Sequence, residues 1–374
     1  MRAQVNQTHL IRMRRALALA ARGLKSTIAN PRVGCVLVRD GRVIGEGWHK
    51  GDGCLHAEAA ALADANARGE STSGATAYVT LEPCCHTGRQ PPCSEALIKA
   101  EISRVIASGE DPHPAVAGKG FAALRRVGIE VETGLLADRA EALNQGFFHR
   151  QRHALPWVTL KLAVSLDGRI AAADGGSRYV SCDASRADAM RWRARSQAIL
   201  TSSATVLADN PQHTVRGVAG VTQPDLWLLD SRGRASVGAR VFAPVAHQSG
   251  LPQLDKRRVY WVRPPVEAGL PEHVEVIPTQ GQVNLTWLLK RMAEQGVNEV
   301  LTECGGGLAG ALLEAGLVNR LLVYQAPVLL GHKGLPMARL NCATMADRFG
   351  LGLLESRRLG VDTRLIYAPG SPGA

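Results

Sequence analysis

Residues 56–58 read His-Ala-Glu, and residues 80–93 read Thr-Leu-Glu-Pro-Cys-Cys-His-Thr-Gly-Arg-Gln-Pro-Pro-Cys. These stretches offer one imidazole and several thiols that a single metal ion could gather. Zinc in a catalytic site takes three protein ligands and keeps its fourth tetrahedral position for water. His56, Cys84 and Cys93 fulfil that count and are the expected ligands of one zinc per chain. Glu58 stands two residues beyond the histidine, so it need not bind the ion to reach the water. A carboxylate there can take a proton and deliver it to a ring nitrogen and then to a departing amine, which is typically worth about 10²–10⁴-fold in rate.

The pattern of the zinc nucleobase deaminases is His-x-Glu with Pro-Cys-x-x-Cys. Here the second cysteine comes nine residues after Cys84, so Cys85 and His86 compete as ligands. Cys93 is favoured because it follows Pro91-Pro92 at an expected helix start, where the macrodipole stabilises a thiolate. The adjacent Cys84 and Cys85 cannot easily join one ion without strain. A closed, purely structural site is the bland alternative. The free carboxylate of Glu58 and the absence of paired Cys-x-x-Cys knuckles argue against it.

Outward from this motif, helical and strand patterns alternate. Residues 33–38 and 42–48 read as strands joined by Asp40-Gly41, a strong hairpin turn. Helices are expected over 10–22, 56–68, 94–101, 121–127 and 135–148, with strands at 75–82, 104–108 and 129–132. The basic run Arg150-Gln151-Arg152-His153 and Pro156 mark a domain boundary, giving domains 1–150 and 151–374. The second half restarts with a strand over 157–164 and a turn at Asp167-Gly168. Strands at 198–201, 226–229, 259–262, 274–277, 300–302 and 321–325 follow, with helices over 184–195, 285–293 and 308–315. Both halves therefore read as α/β, and the tail from 369 is expected to be disordered.

The 374 residues exceed one ordinary core, and the composition (45% hydrophobic, 21% charged) is globular. No apolar run approaches the ~18 residues of a membrane span. The arginine-bearing first 21 residues read as an amphipathic helix, not a signal peptide, so no membrane association and a cytoplasmic location are expected. Five of eight cysteines fall in the first quarter beside histidines, which suggests metal or catalysis more than disulfides. The net charge of +11 comes from scattered arginines, and aromatics are only 4%. That fits anionic small ligands better than a single-stranded nucleic acid, which needs stacking platforms. No nucleic-acid partner is expected.

These residues closely resemble the bifunctional deaminase/reductase family of riboflavin biosynthesis. Asn30-Pro31-Arg32-Val33-Gly34-Cys35 and Gly45-Glu46-Gly47-Trp48-His49 match its opening, and the nine-residue cysteine spacing is the family's own. In the second half, Leu160-Lys161-Leu162, Ser165-Leu166-Asp167-Gly168 and Thr201 to Asp209 continue the match, which fades near residue 330. The resemblance implies an N-terminal cytidine-deaminase-like α/β/α sandwich and a C-terminal dihydrofolate-reductase-like α/β domain. It implies two activities. The first removes the exocyclic 2-amino group of a diaminopyrimidinone carrying a ribosylamino 5'-phosphate. The second reduces the ribosyl group to ribityl with NADPH. It also implies that zinc is held by His56, Cys84 and Cys93, with Glu58 as proton shuttle; Lys161 falls in a matching strand without an assigned role.

Read on its own, the second half offers one cofactor signal: a strand runs into Glu303-Cys304-Gly305-Gly306-Gly307 and a helix, and Gly305, Gly307 and Gly310 satisfy Gly-x-Gly-x-x-Gly. No first-unit βαβ position and no acidic residue about twenty further on support a standard Rossmann domain. By resemblance, Ala163, Tyr179, Thr205, Asp209, Ser231 and the run Gly305, Gly306, Gly307, Leu308, Ala309, Gly310, Ala311 would line the cofactor. Ser177, Arg193, His213, Arg216 and Glu303 would contact the substrate, with the two arginines suited to a sugar phosphate. Tyr179 stands where the family usually has tryptophan, and His213 where it commonly has leucine. A homo-oligomer is expected from size. The alternatives are a nucleic-acid base deaminase with an appended RNA-binding domain, and a zinc-stabilised binding protein without catalysis.

Overall fold

The computed structural model describes residues 7–27, 29–86, 90–176, 180–246, 257–266 and 269–370. The chain divides into two compact units, passing from one to the other between Ala154 and Leu155.

In the first unit, strand β1 (Gly34–Arg39) sends Cys35 and Leu37 to one face of a sheet and Val36 and Val38 to the other. It folds back on β2 (Arg42–Trp48) through Asp40 and Gly41, both with the positive φ that a two-residue hairpin needs. β3 (Thr76–Val79) pairs antiparallel with β1, and β4 (Arg104–Ala107) and β5 (Glu130–Thr133) add in parallel, giving the order β2-β1-β3-β4-β5. Helix α1 (Gln7–Ala20) lays Met13, Ala16 and Leu19 on one face. On the other lie α2 (Ala57–Ala67), α3 (Cys93–Lys99) and α4 (Lys119–Arg126), with Ala57, Ala61, Ala65, Leu97 and Leu124 in the core. The layers form the α/β/α sandwich. Where α2 meets β2 it presents Ala57, Ala61 and Ala65, because it rests there on Gly45 and Gly47. A Cβ on Gly47 would stand 2.8 Å from the Ala60 carbonyl carbon and nearer still to backbone atoms of Ala57 and Ala61. That close seating fixes where α2 begins.

One element departs from expectation. The helix anticipated over 135–148 is two helices, α5 (Ala137–Leu143) and α6 (Gln145–His153), interrupted at Asn144. The Asn144 side chain accepts from Arg32 N at 2.8 Å and donates to Arg32 O at 2.9 Å, tying the chain to the opening loop. An asparagine that satisfies distant backbone in this way leaves the helical path. The basic run through His153 belongs to α6 instead of following it.

The second unit is built on nine strands in the order β11-β10-β9-β8-β12-β6-β13-β16-β15. In chain order these are β6 (Trp157–Val164), β8 (Ala198–Ser202), β9 (Asp225–Leu229), β10 (Val259–Arg263), β11 (Val274–Pro278), β12 (Glu299–Glu303), β13 (Arg320–Gln325), β15 (Leu351–Leu359) and β16 (Asp362–Pro369). The short β7 (Arg169–Ala171) and β14 (Leu335–Pro336) pair separately. From β11 to β13 the neighbours run parallel; the β15–β16 hairpin closes one edge antiparallel. Helices α9 (Leu285–Glu294) and α10 (Gly306–Glu314) pack on one face, while α7 (Asp183–Arg195) and α8 (Ser203–Asp209) pack on the other. Sequence reading had not anticipated α8, the short pair or the terminal hairpin. Among the described residues, no helix is long and apolar enough to cross a membrane. Residues 371–374, most of the expected disordered tail, lie outside the described residues.

Candidate active sites

The seat of α2 sets the first site. His56 is the residue just before the helix, in extended backbone, so its ring leaves the helix start while Glu58 sits in the first turn, buried. Cys84 follows β3 in a loop, and Cys93 opens α3 after Pro92. The three ligand atoms lie within 4.8 Å of one another. His56 Nδ1 stands 3.3 Å from Cys93 Sγ and 3.6 Å from Cys84 Sγ. Ligands about 2.0–2.3 Å from a tetrahedral zinc would stand about 3.5–3.8 Å apart, so the donor set fits that ion in type and spacing. Among the described residues no fourth histidine, cysteine or carboxylate joins the cluster. Cys85 turns away to Ala115 O at 3.8 Å, and His86 stacks on His113. The structure thus brings Cys93, and not Cys85 or His86, together with His56 and Cys84.

The local electrostatics suit a cation. A hydrogen bond from Cys93, aided by His56, pushes the Cys84 thiol down to about 4, while the same bond and burial drive the Cys93 thiol up. The two sulfurs in effect share one proton, which a divalent ion between them would displace. Burial, with the Cys84 charge beside it, raises the Glu58 carboxyl to about 7, and Glu58 also shares a hydrogen bond with Cys93.

Two supporting side chains went unnoticed as such in the sequence. The buried Glu82 carboxylate accepts backbone N–H groups from Asp111, Gly118 and Phe121 at 3.2, 2.9 and 3.1 Å, clamping the segment that leads into Pro83-Cys84. His49 faces Leu55 O at 3.1 Å through Nδ1 and the Asn30 amide at 3.1 Å through Nε2, with its ring edge-on to His56. Burial lowers its pKa and keeps it neutral. The only earlier signal for either was membership in the quoted motifs.

The second candidate site lies at the C-terminal ends of the parallel strands, where open α/β sheets place ligands. Ala163 is near the end of β6, Thr205 and Asp209 are on α8 directly after β8, Ser231 follows β9, and Gly305 to Ala311 follow β12. The glycines divide their work. Cβ atoms on Gly305 or Gly307 would meet open space, whereas one on Gly310 would stand 2.7 Å from the Arg339 carbonyl carbon. Ala309 is buried and Leu308 packs on the core, so this run offers a ligand backbone N–H groups and not side chains.

Arg193, Glu303 and His213 converge beside this glycine run. Arg193 grips Glu303 with two bonds of 2.6 and 2.7 Å and donates to Thr214 O at 2.9 Å. Burial alone would raise the Glu303 carboxyl; the Arg193 guanidinium overrides it and holds the group well below its usual range. His213 has positive φ, lies 3.9 Å from Glu303, and is driven by burial down to about 3, so it is neutral. Lys161 is paired across the sheet with Glu303, and burial lowers its pKa. Arg216 is exposed on the following loop. Ser177 and Tyr179 lie outside the described residues.

Residues 156–363 match the family described as the RibD C-terminal domain, and residues 6–108 match the cytidine and deoxycytidylate deaminase zinc-binding region. The chain is 43% identical to the riboflavin biosynthesis protein RibD of Escherichia coli, over 94% of this chain and 97% of that protein. The chain belongs to the RibD family. Its RibD relative in Haemophilus influenzae is 41% identical over 96% of each chain. Among solved structures, Acinetobacter baumannii RibD is 39% identical, with a TM-score of 0.87 over 98% of this chain and 99% of that one. A Thermotoga maritima diaminohydroxyphosphoribosylaminopyrimidine deaminase/5-amino-6-(5-phosphoribosylamino)uracil reductase is 31% identical, with a TM-score of 0.85 over 97% and 99%. As a RibD chain, the molecule carries a zinc-dependent deaminase and an NADPH-dependent reductase of riboflavin biosynthesis, in that order. A reductase domain spans the second half, so an appended RNA-binding domain is not favoured.

Proposed function

We propose that the first unit removes the exocyclic 2-amino group of a diaminopyrimidinone bearing a ribosylamino 5'-phosphate, and that the second reduces the ribosyl group of the product to ribityl. The observation that carries this reading is the three-ligand cluster with Glu58 buried against it and no fourth ligand among the described residues. His56, Cys84 and Cys93 would hold zinc, which when bound supplies Lewis-acid activation of water. Glu58, with a carboxyl raised to about 7, can both accept and return a proton near neutral pH. It takes one proton from the attacking water to the ring nitrogen, and then passes the second proton of that oxygen to the amino group, which leaves as ammonia while the carbonyl forms.

In the reductase unit, Gly305 and Gly307 leave room for a diphosphate at the start of α10, and Ala163, Thr205, Asp209 and Ser231 flank it. NADPH would supply the hydride, and the protein aligns it and excludes water. Glu303, held ionised by Arg193, and neutral His213 present polar atoms to the substrate sugar. Ser177, Tyr179 and Arg216 complete the contacts carried over from the family. All eight cysteines are free, which suits the reducing cytoplasm, and the enzyme acts as a homo-oligomer.

The test compares the parent with Glu58→Gln on the phosphorylated diaminopyrimidinone. The parent releases ammonia and then consumes NADPH; the variant releases none but still reduces pyrimidine that has already been deaminated. A parent without ammonia release, or a variant deaminating at the parent rate, overturns the reading.

A further inference from the structure

Three arginines of the reductase unit gather at the C-terminal ends of β9 and β10, and the chemistry above has no task for them. The two strands run parallel with Leu229 opposite Val262, so the turn Asp230-Ser231-Arg232-Gly233-Arg234 lies beside Arg263. Arg263 is held from several sides. Its guanidinium stacks over the buried Trp261 ring at 4.2 Å, and its Nε donates to Pro264 O at 3.0 Å. Its Nη2 lies against Gly233, 3.1 Å from where a Cβ would stand. Arg234 reaches the start of α8, with Nη2 3.4 Å from Ser203 Oγ. Arg232 is exposed beside Ser231.

The positive charge of this corner is not neutralised. Among the described residues, no carboxylate forms an ion pair with Arg232, Arg234 or Arg263. The carboxylate of the turn itself is already engaged. Asp230 is fully buried and accepts from Arg234 N, Ala235 N and Trp261 Nε1 at 2.9, 2.9 and 3.2 Å. In dinucleotide folds of the Rossmann type, a carboxylate near a strand end reads the ribose 2'-hydroxyl of NADH, whereas an arginine accommodates the 2'-phosphate of NADPH. Here the carboxylate is turned inward and the guanidinium groups are left to the outside.

The place in the sheet is also right. β9 is two strands from β12, with β8 between them. At the usual strand spacing that puts the arginines about 10 Å from the end of β12, where the glycine run begins. The adenosine half of a dinucleotide laid across the strand ends covers such a span, passing Thr205 and Ser231. We infer that Arg263 and Arg234, with Arg232 beside them, receive the 2'-phosphate of NADPH and make the reductase select it over NADH. A guanidinium matches a phosphate with two parallel N–H bonds, and the pinned Arg263 has little freedom left to lose. The inference rests on the functional reading above, with its diphosphate at the start of α10.

The test measures reduction of the deaminated pyrimidine with NADPH and with NADH by the parent, Arg263→Gln, Arg263→Lys and Arg234→Gln. Inhibition by adenosine 2',5'-bisphosphate and by adenosine 5'-monophosphate is measured beside it. Arg263→Gln and Arg234→Gln should each raise KM for NADPH about 10- to 100-fold, the range of a lost charged hydrogen bond, with little change in kcat. The preference for NADPH over NADH should fall by the same factor, and Arg263→Lys, which keeps the charge, should recover part of it. Adenosine 2',5'-bisphosphate should inhibit the two glutamine variants less than the parent, approaching the potency of adenosine 5'-monophosphate. Equal losses with both nicotinamides would mark a packing role on Trp261 and overturn the inference, as would an unchanged KM for NADPH. A rise in KM for the pyrimidine alone would give these arginines to the substrate's phosphate and overturn it too. A parent that oxidises neither cofactor would instead overturn the functional reading and the inference with it.

Discussion

Gly47→Ala is expected to disable the deaminase while leaving the reductase intact. The added Cβ would stand 2.8 Å from the Ala60 carbonyl carbon and closer to backbone atoms of Ala57 and Ala61, where ordinary contact begins at 3.4 Å. Because the obstacle is helix backbone, α2 must retreat by at least about 0.6 Å, the difference of those two distances. His56 and Glu58 open that helix and move with it. A misplacement of about 1 Å at reacting groups can cost about 10²-fold in rate, so deaminase kcat/KM should fall about 10- to 100-fold. Overpacking of this kind destabilises by about 1–3 kcal/mol, so the first unit should also melt earlier. The assay pairs ammonia release with NADPH consumption on deaminated substrate, and adds zinc content per chain. Full deamination with one zinc bound would refute the claim that helix seating positions the site.

The reductase unit yields two more expectations. Arg193→Met should destabilise it by about 3–5 kcal/mol at neutral pH, because a buried carboxylate loses its partner. In the parent the Glu303 pKa is depressed, so its contribution is full above the unfolded value of about 4.3 and lost only as pH falls through the lower folded value. In the variant burial dominates and raises that pKa, so its melting temperature should recover from pH 7 towards pH 5; a profile parallel to the parent's would count against the pair. Gly310→Ala should push the chain near Arg339 off α10 and weaken NADPH binding without touching zinc content, and unchanged NADPH affinity by titration would show that this packing does not shape the cofactor end.

The metal ligands were legible because residue type and spacing carry their chemistry, whereas discarding Cys85 and His86 required the fold that turns them to Ala115 and His113. The core strands of both units could be read because each is a compact apolar run in a buried sheet. The β15–β16 hairpin could not, since Leu-Gly-Leu-Leu-Glu-Ser-Arg-Arg-Leu lacks clean alternation and the strand is exposed nearly throughout. Asn144 shows why a helix read as continuous can break: its partner is Arg32, 112 residues away. The same distance problem hides Arg193. Sequence marks it for a sugar phosphate but does not show that its Nε and Nη2 also grip Glu303, 110 residues away. Glu82 likewise looks like a motif residue until three backbone amides are seen to converge on it.

X-ray absorption at the zinc edge of the purified enzyme tests the open metal centre directly. The expected result is one zinc per chain with two sulfur neighbours at about 2.3 Å and two lighter ones at about 2.0 Å, an imidazole nitrogen and a solvent oxygen. Three or four sulfur neighbours, or a chain that takes up no zinc, would contradict it.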